Sequence, residues 1–146
     1  MNTDDNGGLF ACRPILRAEC VARSIEYYVH CLGFHLGWAW SDQKQRFLER
    51  GEAGDPTFAL VGRGQVQLML SQQSQGAPGM WLHLDVHTAE QVNALHEEWA
   101  QKGARIVEPP LSRPWGMVEM RVQDLDSHVL RVSAPARQTA DAGVSG

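Results

Sequence analysis

The chain has 146 residues, 43% hydrophobic and 21% charged, a composition that specifies one folded domain and excludes a disordered or collagen-like chain. Thirteen Lys and Arg against 17 Asp and Glu leave a net charge of -4, which gives neither nucleic acid nor an anionic membrane a cationic footprint. The longest apolar runs, such as Phe58 to Val61, are far short of the roughly 20 residues that span a bilayer.

Residues 1–11 lack periodicity and read as a flexible N-terminal tail; Asp4 and Asp5 precede any apolar run, so no secretory leader is expected and the location predicted is cytoplasmic. Residues 12–71 carry a strand at 13–18, then a helix at 20–32 whose apolar side chains Val21, Ile25, Tyr28, Val29 and Leu32 share one face. Gly33 stops that helix, and strands follow at 34–41, 57–61 and 65–70. Residues 72–79, rich in Gln and Gly, form a linker. Residues 80–133 repeat the order: a strand at 81–87, a helix at 89–102, then strands at 104–107, 117–123 and 128–133. Thr88 and Gln91 make a capping box for the second helix, Val92, Leu95 and Trp99 its apolar stripe, and Gly103 its end. Residues 134–146 read as a flexible C-terminal tail. Ile15 to Gly33 spans 18 residues and Leu84 to Gly103 spans 19, as an internal duplication would give. The fold class expected is therefore α+β, with one strand, one helix and three strands occurring twice in tandem.

Particular residues match a known family. The segment Cys20-Val-Ala-Arg-Ser-Ile-Glu-Tyr-Tyr-Val-His-Cys-Leu-Gly-Phe34 resembles the first helix of the glyoxalase/bleomycin resistance/dioxygenase (vicinal oxygen chelate) superfamily. Lys102-Gly-Ala-Arg-Ile-Val-Glu-Pro-Pro110, Arg113-Pro-Trp-Gly-Met-Val-Glu-Met120 and Asp124-Leu-Asp-Ser-His-Val-Leu130 resemble its second half, and Pro-Trp-Gly points to the bleomycin-resistance branch. The resemblance spans about residues 13 to 133. It implies paired βαβββ modules, each curling a mixed sheet into a cup, in small proteins that dimerise around ligand clefts. Two departures stand out: Leu125 and Ser127 replace the Pro and Gly usual in the Asp124 turn, and Cys20 replaces a capping Asp.

Enzymes of that superfamily hold a divalent metal through His, Glu or Gln from the first and last strands of each half. Register places those positions near Arg13, Met69, Trp81 and Arg131, none of them a ligand type, so neither a metal nor any other cofactor is expected. His83, Asp85 and His87 share a strand face, yet His83 and His87 stand about 13 Å apart, so only His83 with Asp85 starts a site. A plain polar pair is the alternative. His30, His35, His96 and His128 read as solvated. Cys12, Cys20 and Cys31 form no metal or disulfide pattern, no nucleophile elbow exists, and Gly62-Arg63-Gly64 reads as a hairpin turn.

The candidate ligand residues are aromatic and charged. Trp115, set between Pro114 and Gly116, stands where a ring can overhang an opening, and the resemblance associates it with the drug-binding cleft. Trp38 and Trp40 share a face and form either a ligand wall or a core or dimer contact; Trp81 shares parity with His83 and Asp85. Glu119, Arg121 and Arg131 fall on the same inward parity, either as an ion pair of Glu119 with one of the arginines or as ligand contacts, and the sign of the ligand stays open. The leading reading is a metal-free homodimeric protein that sequesters an aromatic, bleomycin-like antibiotic without catalytic residues. The alternative is a metal-dependent glyoxalase- or dioxygenase-type enzyme with displaced ligands, and a third is an accessory subunit whose cup takes a protein.

Overall fold

The computed structural model describes residues 7–137; positions 1–6 and 138–146 of the expected tails lie outside them. Five strands, β1 (Ile15–Ala18), β2 (His35–Ser41), β3 (Arg46–Phe47), β4 (Phe58–Arg63) and β5 (Val66–Gln72), form one sheet in the order β1-β5-β4-β2-β3. Four more, β6 (Trp81–Asp85), β7 (Arg105–Ser112), β8 (Met117–Gln123) and β9 (Val129–Pro135), form a second in the order β6-β9-β8-β7. In each sheet the first strand lies parallel to the last and the remaining pairings are antiparallel, so β6, β9, β8 and β7 repeat the arrangement of β1, β5, β4 and β2. This is the mixed α+β architecture that the sequence pattern predicts, with the two curled sheets that the family resemblance implies.

Helix α1 (Val21–Glu26) continues as a π-helical turn (Tyr27–Cys31), and α2 (Ala89–Gln101) starts on the expected capping box of Thr88 and Gln91. Cys20 makes no cap; the free Val21 N–H instead donates to Gln72 Oε1 of β5 at 2.9 Å. Strand alternation buries Leu16, Ala18, Val61, Leu68 and Leu70 of the first sheet and Met120, Val122, Leu130 and Val132 of the second in one core with both helices. The opposite sheet faces, turned away from the helices, are the two cup faces.

Several boundaries differ from the sequence expectation. β3 lies in a polar stretch with no alternation, and β7 runs on through Pro109 and Pro110, which an edge strand with a register shift tolerates. Gln72 belongs to β5 rather than to a linker. Ala134 and Pro135 belong to β9 rather than to a tail, and Ala134 is fully buried. Ser127 takes φ 67°, the left-handed backbone that favours Gly, at a strain of about 1 kcal/mol.

His128 corrects a second expectation, because it is completely buried rather than solvated. Its Nδ1 accepts from the Met80 backbone N–H at 2.9 Å, so Nε2 carries the proton and donates to Arg17 O of β1 at 2.8 Å. The same turn holds Asp124, whose carboxylate accepts from the His128 and Asp126 backbone N–H groups and from the Tyr28 hydroxyl at 2.7 Å. Burial pushes the Asp124 carboxyl above its usual range and pushes the Tyr28 phenol well up, the Asp124 charge adding to the latter. A carboxyl raised by folding binds its proton more tightly in the native state, so its stabilising contribution is present at low pH and declines as pH rises from about 4 through the folded value. The stability of wild type relative to Asp124→Asn is therefore expected to fall across that window in urea titrations at stepped pH. A difference that is flat or rises with pH contradicts the assignment.

Candidate functional site

The cup face of the first sheet is aromatic. Trp38 and Trp40 project from β2 on the side opposite the buried Ala39, and Phe58 of β4 lies against Trp38 in a stack, centroids 5.7 Å apart and 26° between planes. Phe47 of β3 stands edge-on to both indoles, 5.5 Å from Trp38 and 5.0 Å from Trp40. The Trp40 N–H donates to Asp42 Oδ1 at 3.0 Å. A cavity of about 350 Å³ opens among these rings, Asp42 and the Ser71 to Gln75 segment. Phe47 and Phe58 escape a sequence reading because Phe47 is isolated in a polar run and Phe58 reads as ordinary strand filler. Only the register of Trp40 with both of them reveals the cluster.

The cup face of the second sheet is charged. Trp81, His83 and Asp85 of β6 point away from the half-buried Leu82 and Leu84, which settles Trp81 on the cup side, 56% exposed. The His83 ring links two charged partners: Nδ1 accepts from Arg131 Nε at 3.1 Å, which leaves Nε2 to donate to Asp85 Oδ1 at 3.0 Å. The Arg121 guanidinium lies over the Trp81 ring, 5.2 Å from its centroid. Glu119 is 2% exposed, and its companion is neither Arg121 nor Arg131. Arg113 Nε sits 3.7 Å away, while the Glu119 carboxylate accepts from Ser133 Oγ at 3.2 Å and from the Trp115 N–H at 3.3 Å. Arg113 also pairs with Glu108, which is 3.6 Å from Arg121 Nε, so an alternating run Glu119, Arg113, Glu108, Arg121 connects the supports of Trp115 and Trp81. The β7 and β8 register directs Arg121 to Glu108 and keeps it from Glu119, since Glu108 and Arg121 are direct partners. Glu108 and Arg113 were absent from the sequence candidates, although Arg113 immediately precedes the Pro-Trp-Gly motif.

The nine sequence candidates are thus not one constellation. Trp38 and Trp40 belong to the first sheet, Trp81, His83, Asp85, Glu119, Arg121 and Arg131 to the second, and Trp115 to the turn joining β7 and β8. The four register positions for a metal also fail on their chemistry: Arg13 is hydrogen-bonded to Gln67, Arg131 donates to His83, and Met69 and Trp81 complete a set without a hard donor. Among the described residues no three His, Cys, Asp or Glu side chains lie close enough to hold an ion. These residues do not fit the divalent metal of the superfamily's enzymes.

Residues 13–132 match the glyoxalase/bleomycin resistance protein/dioxygenase superfamily over most of the chain. The chain belongs to that superfamily. Among solved structures, TioX from Micromonospora sp. ML1 is 19% identical with a TM-score of 0.67, covering 86% of this chain and 99% of its own. A glyoxalase/bleomycin resistance protein/dioxygenase from Nocardioides is 14% identical with a TM-score of 0.62, covering 92% and 91%. The bleomycin-binding protein of bleomycin-producing Streptomyces verticillus, solved with copper(II)-bleomycin, is 25% identical with a TM-score of 0.59, covering 89% and 98%. No curated protein matches the chain. As a superfamily member the chain has the fold of small-molecule binders, and no helix among its described residues is long and apolar enough to cross a membrane.

Proposed function

We propose that this protein binds a polar aromatic small molecule of the bleomycin-like antibiotic class and acts by sequestration, without metal and without turnover. The observation that carries the reading is the exposure of large rings: Trp115 is 60% exposed beside Glu119, Trp81 56% beneath Arg121, and Phe47 55% edge-on to Trp38 and Trp40. Rings held in water in this way gain stacking and burial when a flat ligand covers them. The 25% identical bleomycin-binding protein is consistent with that ligand class. In this reading Trp38, Trp40, Trp81 and Trp115 supply the surface, and His83, Asp85, Glu119, Arg121 and Arg131 supply polar contacts. A second copy in a homodimer covers the open cup faces, where Leu111, the register partner of Glu119, is also exposed. The protein works in the cytoplasm, where its three free cysteines stay reduced.

Titration with metal-free bleomycin and a panel of aromatic antibiotics, followed by tryptophan fluorescence, tests the proposal. Saturable quenching at micromolar concentration is expected, and Trp115→Ala should weaken it by about tenfold or more. A panel that leaves the fluorescence of the wild type unchanged overturns the reading.

A further inference from the structure

The aromatic cavity of the first sheet differs in charge from the second cup face. Four rings, Trp38, Trp40, Phe47 and Phe58, wall it, and Asp42 is the one charged residue among those that line it; the others are Thr, Ser and Gln. The two cations nearest in sequence do not offset Asp42, because Lys44 and Arg46 both turn onto Glu52, at 2.8 Å and 2.7 Å. Those two contacts hold the Glu52 carboxyl well below the usual carboxylate range, so the pairs are satisfied among themselves. Arg17 of β1, the register partner of Ser71, donates to Ser74 O at 3.2 Å on the β5 side of the cavity, and it makes no ion pair with Asp42 among the described residues. Asp42 is held at the rim by the Trp40 N–H on its Oδ1 and by its own N–H donating to Thr57 Oγ1 at 3.2 Å. Its Oδ2 carries no protein hydrogen bond among those recorded for the described residues, and the side chain is exposed. Ring faces attract cations through their quadrupole, most strongly for Trp, and a fixed carboxylate at the rim adds a direct charge.

We infer that the Trp38, Trp40, Phe47 and Phe58 cavity, with Asp42 at its rim, is the subsite for a substituted ammonium group of the ligand. A bulky, weakly hydrated ammonium sheds its water for ring faces at little expense and fits about 350 Å³, whereas an anion meets the rings and Asp42 as repulsive surfaces. The inference rests on the sequestration reading and gives its ligand a charge: an aromatic compound bearing a tertiary or quaternary amine. A neutral aromatic ligand would fill the same space without using Asp42.

The test compares phenyltrimethylammonium with its uncharged isostere tert-butylbenzene by tryptophan fluorescence, in wild type and Asp42→Asn. The asparagine keeps an oxygen for the Trp40 N–H, so the rings stay in place and circular dichroism should not change. The cation is expected to bind about tenfold or more tightly than the isostere, and Asp42→Asn to weaken it about threefold to tenfold with a smaller salt dependence. Trp38→Ala should abolish the quenching. Equal binding of the two probes, an unchanged Kd in Asp42→Asn, or no binding of the cation up to about 10 mM overturns the inference. The antibiotic titration is independent of these outcomes: a bound antibiotic without cation preference leaves sequestration standing and removes the ammonium subsite, and cation binding without any bound antibiotic does the reverse.

Discussion

Replacing Trp99 with Ala is expected to lower the unfolding free energy by about 3–5 kcal/mol, a large part of the 5–15 kcal/mol available to a domain of this size. The indole is 2% exposed on the apolar stripe of α2, within the core that both sheets share. Its N–H donates to Leu32 O at 2.9 Å, one turn before β2, so the residue fastens the second module's helix to the end of the first module's helix. Arg63 adds a second tie from β4, pairing with Glu98 at 2.7 Å and donating to the same Leu32 carbonyl. That pair is about one-third exposed and contributes at most about 1 kcal/mol, so the indole carries most of the attachment. Gly33 makes the convergence possible: at φ +75° a side chain there would strain the backbone and meet the Arg63 guanidinium at 2.5 Å. Urea unfolding of Trp99→Ala and Trp99→Phe separates the parts. The phenylalanine keeps most of the volume and loses the hydrogen bond, for about 1–2 kcal/mol. A loss under about 1 kcal/mol for the alanine variant would show that the site collapses around the missing ring.

The elements that sequence patterning locates are those with a single buried face. The α2 stripe of Val92, Leu95 and Trp99, its capping box, and the alternation of β8 all appear where expected because one-sided burial writes its period into the chain. β3 and the second half of β7 leave no such trace: β3 is two exposed residues in a polar run, and in β7 the Glu108, Pro109, Pro110 and Leu111 stretch with its register shift is read as a loop. The candidate site was legible only in part: its tryptophans stand out in the chain, whereas Phe47, Phe58, Glu108 and Arg113 emerge only from strand register and ion pairing. Parity places Trp81, His83 and Asp85 together correctly, yet no parity rule tells that Arg113 rather than Arg121 accompanies Glu119, because that depends on the register shift between Glu108 and Leu111. His128 shows the opposite limit. A histidine beside a turn of Asp and Ser looks solvated, and only the packing of that turn against β1 and α1 buries it.

That burial makes His128→Ala the companion of the Trp99 experiment at the other end of the module contact, with an expected loss of about 2–4 kcal/mol. The turn from Gln123 to His128 is where the second sheet grips the first module. Tyr27 donates to Gln123 O, Tyr28 to Asp124, Ser24 Oγ to Asp126 Oδ2 at 3.3 Å, and the Glu19 N–H to Asp126 Oδ1 at 2.8 Å. His128 completes the set by joining Arg17 O of β1 to the Met80 N–H that leads into β6. Removing the ring leaves the part-buried Met80 N–H and Arg17 O without their side-chain partner and opens a void at a fully buried position, so the two losses add. Two conservative variants divide the effect. Asparagine at 128 places its oxygen near the Nδ1 position and should recover the Met80 bond alone, and glutamine should reach Arg17 O alone, each restoring about 1 kcal/mol relative to alanine. Because the same residues bridge β1 and β6, the loss should appear as one cooperative transition shifted to lower urea with an unchanged slope. A second transition would mean that the modules unfold separately, and a shift below about 0.5 kcal/mol would remove His128 from the contact.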